Sequence, residues 1–351
     1  MTDLRHLAFS TAFNVLHATR LHRAAAPWTR GLGAVLMFHH IRPWTGGAFA
    51  PNHILEITPD FLDATLTRIK QLGFDVIPID ALAERIAEGN AKRPFVVLTF
   101  DDGYGDNHEH ALPVLRRHQA PFTIFATPGF ADRTAPLWWL DLEGAIACQT
   151  SLVAHLNGKE QRFVCGTPAE KTAAYKGIFW ALRKGDHGVL LAEIDRLARA
   201  AGLDPLHRTR DLCLDWAGLR AIAADPLCTI GAHTLTHPIL AKLDANTARF
   251  EMEESKKQLE AALQRPIQHC AYPVGDPSAA GVREFEVARA LGFSTGVTTR
   301  PGMIFGDHAE HLMALPRLSV NGLHQNRVAL DTLLSGLPFA LLNRGRRLMV
   351  S

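Results

Sequence analysis

Apolar residues in this chain fall into short unbroken runs separated by stretches with helical spacing. Residues 33–38 form an apolar run opened by glycine, which predicts a strand buried on both faces. The segments 74–79, 94–100, 121–127, 228–232, 268–272 and 293–298 also read as strands, the last two with more polar residues, and 94–100 is the strongest of them. Between them, 61–72 (opened by Thr58 and Pro59, closed by Gly73), 81–87, 107–118, 216–225, 245–263 and 282–291 carry apolar positions at helical spacing. Strand–helix–strand alternation predicts an α/β fold with a parallel sheet and helices outside it.

Residues 131–215 break that rhythm. Segments 152–156 and 161–165 flank Asn157-Gly158, a two-residue hairpin signal, and helical stretches at 168–184 and 189–202 surround them. The block reads as an insertion or cap on a barrel. At the start of the chain, Leu4, Ala8, Ala12, Val15, Leu16 and Thr19 form a stripe with Arg5, Arg20 and Arg23 off it. That pattern predicts an amphipathic helix, docked on the domain or lying on a membrane surface as a peripheral contact. It lacks the clean apolar stretch of a cleaved leader, and no run of 18 apolar residues predicts a transmembrane span. The resulting organisation is a helix and linker over 1–32, a barrel over 33–325 and a helical tail over 326–351.

Composition sets the class. With 351 residues, 47% hydrophobic and 21% charged, the chain can bury a large core. A formal net charge of +2, without a run of Lys and Arg, argues against nucleic acid as a partner. Cys148, Cys165, Cys213, Cys228 and Cys270 never form a C-x-x-C pair. A disulfide framework or thiolate zinc site is therefore not expected, and a reducing, cytoplasmic location is.

Two polar motifs stand at the ends of predicted strands. Asp101 and Asp102 follow 94–100, where the strand C-termini of an α/β barrel form the active-site face. Adjacent side chains diverge, so one carboxylate can bind a metal while the other points at substrate; a plain Asp-Asp-Gly turn would look the same. His233 and His237 follow 228–232 at a spacing that lets two imidazoles grip one cation, with Pro238 favouring a tight turn over a helix. Two His and one carboxylate suit zinc, and iron, cobalt or nickel would also accept them. Trp138, Trp139, Trp180 and Trp216 are candidate sugar-stacking groups or core residues.

Thr99-Phe100-Asp101-Asp102-Gly103-Tyr104, Gly231-Ala232-His233-Thr234-Leu235-Thr236-His237 and Ala271-Tyr272-Pro273-Val274-Gly275 resemble, in order, the signatures of polysaccharide deacetylases with a NodB homology domain (carbohydrate esterase family 4). The resemblance spans residues 34–320 and implies a distorted (β/α) barrel of about seven strands. It implies a metal-dependent hydrolase removing acetyl groups from N-acetylated, or O-acetylated, oligo- or polysaccharide such as chitooligosaccharide or poly-N-acetylglucosamine. In it, Asp102, His233 and His237 hold one divalent ion. Asp101 is the general base on a water at that ion, and a backbone N–H near Tyr272 helps hold the oxyanion.

Two departures from the pattern matter. Ala271 stands where many relatives carry Arg, and Arg317 in Leu315-Pro316-Arg317-Leu318 resembles an alternative Arg that orients the base. The late motif bearing the general acid is degenerate, with Leu323-His324 a weak match. Val35-Leu36-Met37-Phe38-His39-His40-Ile41 instead resembles an early strand whose His serves as acid, which puts that role on His39 with His40 second. Competing expectations are an amidohydrolase acting on a small cyclic amide and a non-catalytic sugar-binding module.

Overall fold

The computed structural model describes residues 2–89 and 93–350, with backbone only for residues 2–7. Among the described residues, seven parallel strands close into a ring: β1 (Gly33–Phe38), β2 (Phe95–Phe100), β3 (Phe122–Ala126), β4 (Cys228–Ala232), β5 (His269–Ala271), β6 (Thr295–Pro301) and β7 (Leu315–Ser319). Each pairs with its sequence neighbours. β1 closes the ring by pairing with β2 on one side, Gly33 opposite Phe95, and with β7 on the other, Leu36 opposite Leu318. Alternation within the strands sorts the core into two sets. Val35, Val97, Phe125, Val297 and Leu315 pack together within the ring, while Leu36, Leu98, Ile124 and Ile230 pack towards the surrounding helices. Gly33 is required at the seam, because a Cβ there would lie 2.1 Å from the Phe95 carbonyl oxygen.

Several boundaries differ from the pattern. Only Asp75–Val76 of the 74–79 run pairs, beside the first residues of β2, and a short 3-10 helix at Ile79–Ala81 follows Pro78, which has no N–H to give a ladder. β7 is a strand that apolar alternation does not announce, because Pro316 and Arg317 occupy it. The hairpin strands Ser151–Leu156 and Lys159–Val164 pair with Leu156 opposite Lys159. Asn157 and Gly158 between them take φ of 53° and 74°, as a tight two-residue turn requires.

The N-terminal segment is two helices, Thr2–Ala18 and Leu21–Thr29, broken at Arg20 with φ 58°. Most of its predicted stripe does not face the domain: Ala8, Ala12, Val15 and Thr19 are exposed and Leu16 is half-buried, whereas Phe13 is buried, its ring 5.1 Å from His324. One large aromatic ring buries more surface than several alanines, so Phe13 sets the docked face. Leu4 and Arg5 lie outside the residues with described side chains. No described helix is long and apolar enough to cross a membrane.

After β3, the 131–215 block packs helices Trp138–Ala147, Pro168–Lys184 and His187–Ala200 and the hairpin around a core of their own, including Leu142, Ile146, Leu152, Ile178 and Ile194. This block stands over the C-terminal ends of the strands.

Candidate active site

β2 delivers Asp101 and Asp102 to the mouth of the ring, and the backbone then aims them apart. Asp101 continues the strand, its N–H donating to Phe38 O at 3.0 Å. Asp102 turns into the left-handed region, φ 72°, with Gly103 following at 69°. Thr234 and His237 take φ of 63° and 62° in the turn after β4. Such conformations cost about 1–3 kcal/mol each and persist where surrounding structure enforces them. Here they gather three side chains on one point. Asp102 Oδ1 lies 3.5 Å from His233 Nε2 and 3.3 Å from His237 Nε2.

That cluster fits a divalent cation. All three groups are buried, and their ligand atoms lie within 4.8 Å of one another. Asp102 Oδ1 is buried without a hydrogen-bond donor, an orphan that a cation would satisfy. His233 Nδ1 donates to Ala271 O at 2.8 Å, which leaves its Nε2 lone pair facing Asp102 and His237. Burial alone would raise the Asp102 carboxyl, but the adjoining His233 and His237 rings override it and hold it well below the usual carboxylate range.

The second carboxylate has a different partner. Asp101 receives both arms of the Arg317 guanidinium, Nη1 to Oδ1 and Nη2 to Oδ2, each at 2.7 Å. Arg317, on β7, is itself pinned by donating to Thr298 O at 2.9 Å and Thr99 Oγ1 at 3.1 Å. Burial pushes the Asp101 carboxyl up; Arg317, with His233 and His39 beyond it, pulls it down further, so Asp101 is ionised at neutral pH. Ala271 packs with Phe125 and Val297 and leaves the cationic role to Arg317.

The structure separates the histidine candidates. His39 lines the same cavity, its Nε2 4.0 Å from Asp101 Oδ2, and burial lowers its pKa against the pull of Asp102 and Asp101. His40 turns the other way, stacked on Tyr104 with ring centroids 3.5 Å apart and its Nδ1 2.5 Å from Asp106. His324 lies against Phe13, outside the cavity wall. Tyr272 does not reach the cavity either. Its N–H donates to Val297 O at 3.2 Å, its hydroxyl to Met313 O at 2.8 Å, and its ring packs on Phe285. The oxyanion role expected near Tyr272 therefore has no free donor at that residue, whose N–H and O–H are both taken by backbone carbonyls; the same stretch of chain gives Val274 and Asp276 to the cavity wall.

The cavity holds about 520 Å³ and is lined by the Asp/His cluster, His39, and a largely apolar wall. Trp138, Trp139 and Trp180 belong to that wall; Trp216 does not, donating its Nε1–H to Asp132 Oδ1 at 2.6 Å. Sequence reasoning did not find Asn52, Tyr175, Lys176, Phe179 or Arg183 on the wall. The first sits in a loop and the others on an inserted helix, where no motif spacing marks them.

The polysaccharide deacetylase family model matches residues 88–296. No curated protein matches the chain. Among solved structures, the chain is similar to the Streptococcus pyogenes deacetylase PplD in complex with acetate, at 18% identity and a TM-score of 0.56, covering 87% of this chain and 97% of that one. It is also similar to IcaB from Ammonifex degensii, at 18% identity and a TM-score of 0.53, covering 86% and 98%. The BpsB deacetylase domain from Bordetella bronchiseptica aligns at 17% identity with a TM-score of 0.51, covering 82% and 95%. At these identities the likeness is one of fold.

Proposed function

The chain belongs to the polysaccharide deacetylase family, and on that premise we propose that it hydrolyses acetyl groups on an acetylated oligo- or polysaccharide, with one divalent ion held by Asp102, His233 and His237. The observation that carries this reading is the pairing of a buried, unsatisfied Asp/His cluster with a second carboxylate clamped by Arg317. A sugar-binding module needs neither. Zinc suits the donor set best. A divalent ion held there supplies electrophilic polarisation of an acyl carbonyl and makes water a better acid.

The rest is done by the chain. Asp101, kept ionised, accepts a proton as the water oxygen bonds to the acyl carbon. Arg317 fixes its orientation from β7. The leaving nitrogen needs a proton as the C–N bond breaks, and His39, 4.0 Å from Asp101, is placed to pass it on. The products are acetate and a free amine. His39→Ala should keep the metal yet lose most turnover on an acetamide, and lose less on an activated acetyl ester, whose leaving group needs no proton. Equal losses on both substrates would remove His39 from that role.

The deciding experiment pairs metal analysis of the purified chain with acetate and amine release from N-acetylglucosamine oligomers, before and after chelation. Full activity without metal would sink the metal assignment. Turnover of a cyclic amide but no acetylated sugar would favour the amidohydrolase alternative. Membrane contact by the first helix is a further part of the proposal, supported by exposed Ala8, Phe9, Ala12 and Val15, and sedimentation with anionic vesicles tests it. A cytoplasmic location, supported by five unpaired thiols, is tested by cell fractionation.

A further inference from the structure

The walls around the candidate active site restrict how a substrate can enter. On one flank the loop at Asn52 is tied to the inserted block: Asn52 Nδ2 donates to Trp139 O at 3.1 Å and to Glu143 Oε2 at 2.7 Å, and the Tyr175 hydroxyl donates to Asn52 Oδ1 at 3.0 Å. Asn52 and Tyr175 are buried, so this tie is a wall. A second tie is made by Arg183 of the inserted helix, which pairs with Asp276 after β5, its guanidinium 4.9 Å from the Trp180 ring. An internal unit of a polymer needs the chain to leave the site on both sides. Two ties between the inserted block and the rest of the wall narrow the room for such a polymer, which favours a sugar presented by its end.

The mouth is apolar. Ile54, Leu323 and Trp180 line the cavity and are 42%, 38% and 52% exposed. The segments bearing Ile54 and Leu323 are pressed together, since a Cβ on Gly322 would meet His53 O at 2.2 Å. The apolar surface continues to Trp44, whose ring lies 3.9 Å from His53. Ile54 and Leu323 offer no side-chain partner to the hydroxyls of a second and third sugar, whereas hydrocarbon would bury them favourably.

We infer that the substrate is a single acetylated sugar, or a terminal one, carrying a long hydrocarbon chain: the sugar occupies the cavity and the chain lies across Ile54, Leu323 and Trp180. This inference rests on the deacetylase reading above and adds the substrate class to it.

The test uses the full, metal-loaded chain with methyl, octyl and dodecyl N-acetyl-β-glucosaminides below their micellar concentrations, and with chitopentaose. Amine release should give a kcat/KM that rises at least about tenfold from methyl to dodecyl, a conservative value if several methylenes are partly buried. Chitopentaose should lose acetate only from a terminal unit. The double substitution Ile54→Ser, Leu323→Ser should bring the dodecyl-to-methyl ratio close to one. A ratio within about twofold in the unaltered chain, or internal chitopentaose units deacetylated as fast as terminal ones, overturns the inference. So does a dodecyl advantage seen only in phosphatidylcholine vesicles, because the membrane and not the rim would then hold the chain. Tryptophan fluorescence with dodecyl and methyl glucosaminide separates the two levels of argument. If no acetylated sugar is turned over, the deacetylase reading falls; if dodecyl glucosaminide binds no tighter than methyl, the inference falls whatever the turnover.

Discussion

Asp101 and Asp102 are chemically identical neighbours, and their environments give them different work. The left-handed turn at Asp102 sends one carboxylate to two imidazoles, while Asp101 stays in line with β2 and meets Arg317. Asp101→Asn keeps the shape and removes the proton acceptor, so kcat should fall by on the order of 10²–10⁴ with metal content unchanged. Loss of metal in that variant, with retention in Asp102→Asn, would exchange the two roles. Arg317 is 1% exposed, and its removal strands a buried charge. Arg317→Leu should destabilise the fold by about 3–5 kcal/mol, and adding Asp101→Leu should restore much of it. Denaturant melts of the two variants check this, and equal stability would mean that water already compensates Asp101.

Among the elements, the inserted block behaves as a small structure with its own core and its own stresses. Helix Pro168–Lys184 starts with a capping box in which Thr167 and Glu170 satisfy each other's backbone donors. Asp141, on helix Trp138–Ala147, is 3% exposed with Oδ2 unpartnered, and burial pushes its pKa up to about 8 against a partial offset from Arg208. An unfolded chain would release that proton near pH 4. Between about pH 4 and 8 the folded state therefore holds a proton that the unfolded state lacks, and stability falls as pH rises through that window. Asp141→Asn should remove this fall and gain on the order of 1–3 kcal/mol over the unaltered chain at pH 8.5, with little difference at pH 4. Thermal melts at the two pH values decide it; parallel curves would show that Asp141 is charged and compensated in the native state.

At the scale of the molecule, ring closure brings together groups far apart in sequence. Arg317 on β7 reaches Asp101 after β2 because β1 lies between those strands and all three are parallel neighbours. The proposed metal ligands likewise come from the ends of β2 and β4, so an ion binding them is bound by the folded ring only. Zinc at about 100 times its Kd should then stabilise the fold by about 2.7 kcal/mol and raise Tm by a few degrees. His233→Ala should abolish the rise. An equal rise in His233→Ala would place the stabilising ion elsewhere, with the His17, His22 and Asp331 group the first place to look.

What the sequence determined was the part written locally. Short, mainly apolar or β-branched segments bounded by helical stretches marked β1 to β6, since strands buried on both faces select such residues. Asn157-Gly158 set the hairpin, because its left-handed φ values favour those residue types. The Asp-Asp and His-x-x-x-His motifs were legible because one short turn carries each. Tertiary structure decided the rest. β7 holds Pro316 and a buried Arg317, so only the ring explains why it is a strand and why that charge is tolerated. His39 and His40 are adjacent and chemically alike, and Asp106, 66 residues beyond His40, engages His40. The Tyr272 donors were committed to Val297 and Met313, and the docked face of the first helix was chosen by Phe13. Each of these outcomes depends on a partner distant in sequence, and a hydrogen bond or a buried ring is chosen by what the fold brings beside it.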